Sequence, residues 1–157
     1  MRELFRKIFL IIIASNIESI FYLYLINIYV IFPITFLLYS YLIYKTDKYN
    51  NAIEAFFIGL LVDLISGTYF GTNAALFCLM SYLINLNSNS FKLFSYLQVC
   101  LFFGITSSAY VGFTQMILNL YNFSYNILFT SALFNILFCI LIAMLPIYFP
   151  RFFSRKI

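Results

Sequence analysis

Apolar residues fill this chain in long blocks from Ile8 to Phe149, parted by short polar gaps. About 20 apolar residues, or somewhat fewer in a compact bundle, cross ~30 Å of hydrocarbon as a helix. On that measure six spans are predicted, at 8–26, 29–44, 50–65, 72–87, 96–119 and 127–149. Between Ile8 and Tyr44 the charged residue is Glu18. One helix of that length would extend ~55 Å, so it must break. Asn27 and Pro33 bracket the expected turn, because Pro33 lacks an amide hydrogen and suits a helix's first turn.

Composition supports a membrane assignment. The chain is 64% hydrophobic and 9% charged, where a soluble domain carries about 25% charged residues. The basic residues fall at Arg2, Arg6 and Lys7, at Lys45 and Lys48, at Lys92, and at Arg151, Arg155 and Lys156. With six spans all of them lie on one side, which the positive-inside rule makes the cytoplasm; five spans would destroy this alternation. Both termini are therefore expected in the cytoplasm. The outer turns fall near Asn27–Phe32, Ser66–Gly71 and Leu120–Asn126. The basic N-terminus followed by an apolar run resembles a signal peptide, but Glu18 interrupts the run and no small-residue cleavage site follows. The basic tail reads as an orientation signal and interfacial anchor, with anionic lipid or a cytoplasmic partner as the other reading. Tyr44, Tyr49, Tyr69, Tyr121 and Tyr148 fit an interfacial belt.

Little reactive chemistry is present. Histidine is absent, and Cys78, Cys100 and Cys139 sit inside apolar runs, where thiols behave as small hydrophobes. Neither a disulfide framework nor a metal spacing follows, and no nucleophile has an adjacent base. No catalytic residue, cofactor, metal or nucleic-acid partner is expected.

The intramembrane polar residues carry the remaining information. Glu18 lies near the middle of the first span beside Ser15, Asn16 and Ser19. Without a basic residue at its depth it is either protonated or accepts hydrogen bonds from neighbouring polar groups. Glu54 lies near the inner interface and Lys48. Asp63 shares a helix face with Gly59 at i, i+4, which allows close approach of a neighbouring helix beside the carboxylate. Ser66 and Gly67 end that helix, and Gly71, Thr72 and Asn73 start the next, with Thr72 or Asn73 as the expected N-cap. An aspartate near its own helix's C-terminus meets an unfavourable dipole, whereas the next helix's free amides attract it. Asp63 is therefore expected to clasp the Ser66–Gly71 turn, far from any second titrating group. Glu18 is expected in the opposite half of the membrane's depth.

Two further stripes suit helix packing. Gly104, Ser108 and Gly112 repeat every four residues, a pattern for close helix contact inside the bundle or with a partner helix. In the last span Ser131, Asn135 and Cys139 share a face, and a buried Asn commonly bridges helices.

The run Gly59-x-x-x-Asp63-x-x-Ser66-Gly67-x-x-x-Gly71, followed by Asn73-Ala74-Ala75-Leu76, resembles the signature of the MreD family of rod shape-determining membrane proteins. Length, six-span layout and cytoplasmic tails agree, and Asn135 followed by apolar residues and Pro146 resembles the end of some members. One position departs: members often carry Gln near the middle of the first span, where this chain has Glu18. The resemblance implies an all-α polytopic protein of the bacterial inner membrane, similar in fold to the substrate-binding S components of energy-coupling-factor vitamin transporters. It further implies a non-catalytic scaffold that binds the single-pass protein MreC. Through MreC it would connect MreB to RodA and a class B penicillin-binding protein. Membrane lipids and a second copy are further partners to expect. The alternative is a vitamin-type S component itself. Such subunits usually dock through Ala-x-x-x-Ala in the first span, where this chain has Ala14 and Glu18.

Overall fold

In a computed structural model, residues 2–46, 52–118 and 124–148 are described. They form α1 (Arg2–Leu25), α2 (Ile34–Tyr44), α3 (Ala52–Ser66), α4 (Thr72–Leu86), α5 (Ser88–Phe91), α6 (Tyr96–Leu118) and α7 (Tyr125–Tyr148). Among the described residues there is no strand. Among the described residues three helical stretches are long and apolar enough to cross a membrane: Phe5–Leu25, Tyr96–Leu118 and Tyr125–Met144. At 11, 15 and 15 residues, α2, α3 and α4 extend only about 16–23 Å.

The second helix starts five residues later than the expected span at 29. Tyr29 takes a left-handed φ of +57°, and Pro33, with no amide hydrogen, becomes the N-cap of α2 instead of its first helical residue. A 3-10 turn, Ile26–Ile28, follows α1. The short helix α5, absent from the predicted spans, buries Phe91, which meets Tyr44 and Phe102 edge-on.

Two hairpins, α3–α4 and α6–α7, hold the most extensive helix contacts; α1 packs on α2 and α3, and α2 packs on α4 and α6. At the centre Phe36 stacks on Tyr110 (ring centroids 4.4 Å apart) and Tyr39 stacks on Phe77 (4.2 Å). Ile11, Val62, Met80 and Val111 complete this core. Large apolar side chains cover the outside as well, among them Phe9, Leu23, Phe57, Leu64, Leu79, Ile105, Phe129 and Leu141. A bundle greasy on both inside and outside suits lipid rather than water. At the end of the bundle near the start of α3, Lys7 Nζ lies 3.1 Å from Glu54 Oε1. Glu54 thus pairs with the first helix; Lys48, the neighbour expected from sequence, lies outside the described residues, as do Tyr49, Tyr121 and the basic tail.

Candidate functional site

The segment from Gly59 to Gly71 forms a tightly closed hairpin. Gly59 faces the start of α4 so closely that a Cβ there would lie 2.3 Å from Ala74 Cα. One turn on, Asp63 is buried and accepts four hydrogen bonds. Its Oδ1 takes Thr68 Oγ1 (2.8 Å) and Asn73 N (3.0 Å), and its Oδ2 takes Gly71 N (2.9 Å) and Ala74 N (3.5 Å). Gly67 and Gly71 have φ of +64° and +98°, values that only glycine adopts without strain. Ser66 closes α3 by donating to Val62 O (2.6 Å). The N-cap of α4 is Gly71, in place of Thr72 or Asn73. Its left-handed φ puts the helix boundary there, and glycine has no side chain to cap with. Asp63 fills that role from the preceding helix, binding the first-turn amides that a cap normally satisfies.

Glu18 repeats the device. The N-cap of α2 is Pro33, which also makes no side-chain cap bond. Glu18 Oε2, reaching from α1, accepts Thr35 N at 2.7 Å. Both acids therefore serve amides at the start of the following helix, in favourable register with its dipole. This corrects the expectation that they lie in opposite halves of the depth profile. Helix α1 begins at Arg2, so Glu18 falls past its midpoint, toward the end of the bundle that holds the α3–α4 turn.

Tyr110 joins the two caps. Its hydroxyl donates to Asn73 Oδ1, Asn73 Nδ2 donates to Thr68 Oγ1 (3.2 Å), and its ring stacks on Phe36, next to Thr35. Asp63 is therefore part of a network with a second titratable side chain, contrary to the isolation expected for it. Beside these groups a cavity of about 410 Å³ is bounded by α1, α2, α3, α4 and α6. Glu18, Thr35, Thr68, Asn73 and Tyr110 line it, with Ser15, Tyr22, Thr114 and Gln115.

The other residues singled out from sequence lie elsewhere. Gly104 and Gly112 face α7, against Ile136 Cα (3.2 Å from a built Cβ) and Leu128 Cδ1 (3.2 Å), and Ser108 Oγ reaches Ala132 O at 3.5 Å. This stripe is an internal seam, so it offers no free seat for a partner helix. Asn135 and Ser131 hold the break between α1 and α2: Asn135 Nδ2 donates to Ile31 O (3.3 Å) and Ile31 N donates to Ser131 Oγ (2.8 Å). Thr130 adds a bond to Tyr29 O. Sequence reasoning missed Tyr110, Thr114 and Gln115. Their signal was a second polar face of α6, on which Ser107, Tyr110 and Thr114 recur at i, i+3 and i+7 away from the glycine stripe, with Gln115 one position on.

Among the described residues no group of three or more His, Cys, Asp or Glu side chains could hold a metal ion. Cys78, Cys100 and Cys139 are free thiols. Comparison of the chain with protein-family models, curated proteins and solved structures gives no match.

Proposed function

We propose that the chain is an MreD-type scaffold of the bacterial elongation machinery, crossing the inner membrane six times with both termini in the cytoplasm. The observation that carries this reading is the use of the signature. Gly59 seats the next helix, Asp63 caps it, Ser66 and Gly67 end α3, and Gly71 supplies the left-handed cap position. A motif whose residues all serve one hairpin suits a scaffold better than a reaction centre. The short α2, α3 and α4 fit six crossings because the non-helical segments 29–33 and 67–71 are bonded to α7 and to Asp63, and irregular backbone is tolerated at membrane depth where protein satisfies it.

A partner surface is available on α1. Phe9, Ile13, Asn16, Ile20 and Leu23 are all exposed and recur at the 4-3-4-3 spacing of a helix-pairing seam. Asn16, mid-helix, donates to Ile12 O (2.8 Å), and an Asn in lipid gains from a helix that brings it a second polar group. We assign this seam to the single-pass partner MreC, through which MreB, RodA and the class B penicillin-binding protein are reached. Depletion of the protein in a rod-shaped cell is expected to round the cell, and affinity purification to recover an MreC-like protein. Asn16→Leu is expected to lose that partner while the purified chain keeps its thermal stability. Unchanged rods with normally placed wall synthesis after depletion would refute the reading.

The cavity favours one second reading, an S component of a vitamin-type transporter. Copurification with an ATPase module and a bound vitamin would establish it in place of the first.

A further inference from the structure

We propose that the cavity beside Glu18 binds a primary ammonium group, carried either by a small amine or by the headgroup of an aminophospholipid. Its volume, about 410 Å³, lies within the range of small-molecule sites and far above the need of a bare ion. Charge selects the ligand's sign. Glu18 is the acidic residue among those lining the cavity, and among the described residues no Lys or Arg lines it, so an anion would meet a carboxyl group with no cation to offset it.

The two intramembrane acids differ in what they have left to offer. Asp63 is 1% exposed and both its oxygens are taken by the hairpin. Glu18 is half-buried at the cavity wall and gives Oε2 to Thr35 N. Beyond Thr35, no donor among the described residues reaches its carboxyl, which leaves room for a ligand. An ammonium group has three donors, and the hydroxyls of Ser15, Tyr22 and Thr114 supply neutral acceptors around the same space. A quaternary ammonium would instead call for an aromatic cage. Here Tyr110 already stacks one face on Phe36. A divalent metal would need more carboxylates than the single one lining the cavity.

The inference stands apart from either functional reading, because its readout is ligand binding by the purified chain and not cell shape or transport. The test uses the full chain in detergent and in nanodiscs, with ethanolamine as the soluble probe and phosphatidylethanolamine against phosphatidylcholine as the lipid probe. Saturable thermal stabilisation by ethanolamine, absent with ethylene glycol or acetate, is expected if a soluble amine is the ligand. Stabilisation by phosphatidylethanolamine nanodiscs alone assigns the site to the lipid headgroup. Glu18→Gln keeps an oxygen for Thr35 N but loses the charge, and is expected to weaken the effective source about tenfold or more. Thr114→Leu fills the cavity wall without touching either acid, and is expected to abolish the response while the ligand-free melt is retained. A Glu18→Gln protein that responds like wild type, a response that survives Thr114→Leu, or no response to either amine source overturns the proposal.

Discussion

Replacing Gly59 with Ala is expected to destabilise the protein by about 2–5 kcal/mol, against the direction of helix propensity. Ala favours a helix interior over Gly by roughly 1 kcal/mol. A Cβ on Gly59, however, lies 2.3 Å from Ala74 Cα, 2.6 Å from Ala74 N and 2.8 Å from Asn73 C. All three atoms are backbone, so no rotamer change relieves the clash. Ordinary contact begins at 3.4 Å, so the first turn of α4 must retreat by about 1.1 Å, the difference between 3.4 and 2.3 Å. The Asp63 bond to Asn73 N, now 3.0 Å, would stretch to about 4 Å and fail. Overpacking costs about 1–3 kcal/mol and a lost bond to a charged group about 1.5–3, less the propensity gain.

The other helical glycines provide the internal control. A Cβ on Gly104 meets Ile136 Cα at 3.2 Å, a backbone contact needing a shift of a few tenths of an ångström. On Gly112 it meets Leu128 Cδ1 at 3.2 Å, the far end of a flexible side chain. Gly112→Ala is therefore expected to be neutral or to stabilise by up to about 1 kcal/mol, with Gly104→Ala in between. Equilibrium unfolding of the three variants in mixed micelles measures the ranking. A Gly59→Ala protein at least as stable as wild type, or three variants with equal effects, would refute the reasoning.

Asp63→Asn is expected to keep the fold and lose about 1.5–3 kcal/mol, because an amide oxygen can still serve Thr68 and Asn73 while its NH₂ confronts the Gly71 and Ala74 amides. Hydrogen exchange should quicken at residues 71–74 and stay unchanged in the α6–α7 hairpin; full protection at Gly71 would count against the cap. Tyr110→Phe keeps the stack on Phe36 but leaves Asn73 Oδ1 without its donor, a loss of about 1–3 kcal/mol by chemical unfolding. A neutral result would remove Tyr110 from the network. Ser131→Ala strips the acceptor from Ile31 N and should cost about 1–3 kcal/mol, with exchange at the Ile31 amide as the local readout.

What the sequence revealed depended on how far apart the partners lie. The Asp63 clasp was legible because its donors sit within 11 residues of it and the helix-dipole argument is local. The N-cap was misplaced by one or two residues, since the ranking of cap side chains says nothing of a glycine forced to φ +98°. The role of Glu18 stayed open between protonation and hydrogen bonding because its partner, Thr35, lies beyond a break whose path the sequence did not define. Asn135 and Ser131 were legible as one face, but their partner Ile31 is 100 or more residues away. The cavity was not legible at all. A polar face of α6 toward a cavity and one toward a packed neighbour look alike in a single sequence, and Tyr110 is one of 14 tyrosines.

The two acids also explain each other. A helix that starts inside an apolar bundle must satisfy its first amides without water. Here both N-cap positions are given over to turning the chain, one by Pro33 with its fixed φ and the other by Gly71 at φ +98°. Neither has a side-chain oxygen, so the cap comes from the preceding helix. Capping from outside the turn adds what a local serine could not, because the bond that ends one helix's orphan amides also fixes its neighbour against it. The cost of a carboxylate at this depth, about 2.5–3.5 kcal/mol on insertion scales, is offset where the acid is fully used. Asp63, with four donors, meets that condition by itself. Glu18, bonded among the described residues to Thr35 alone, does not, and the cavity lies beside it. The same device thus closes one hairpin and sets the other acid at the wall of a cavity, where the proposed ammonium ligand would complete its hydrogen bonding.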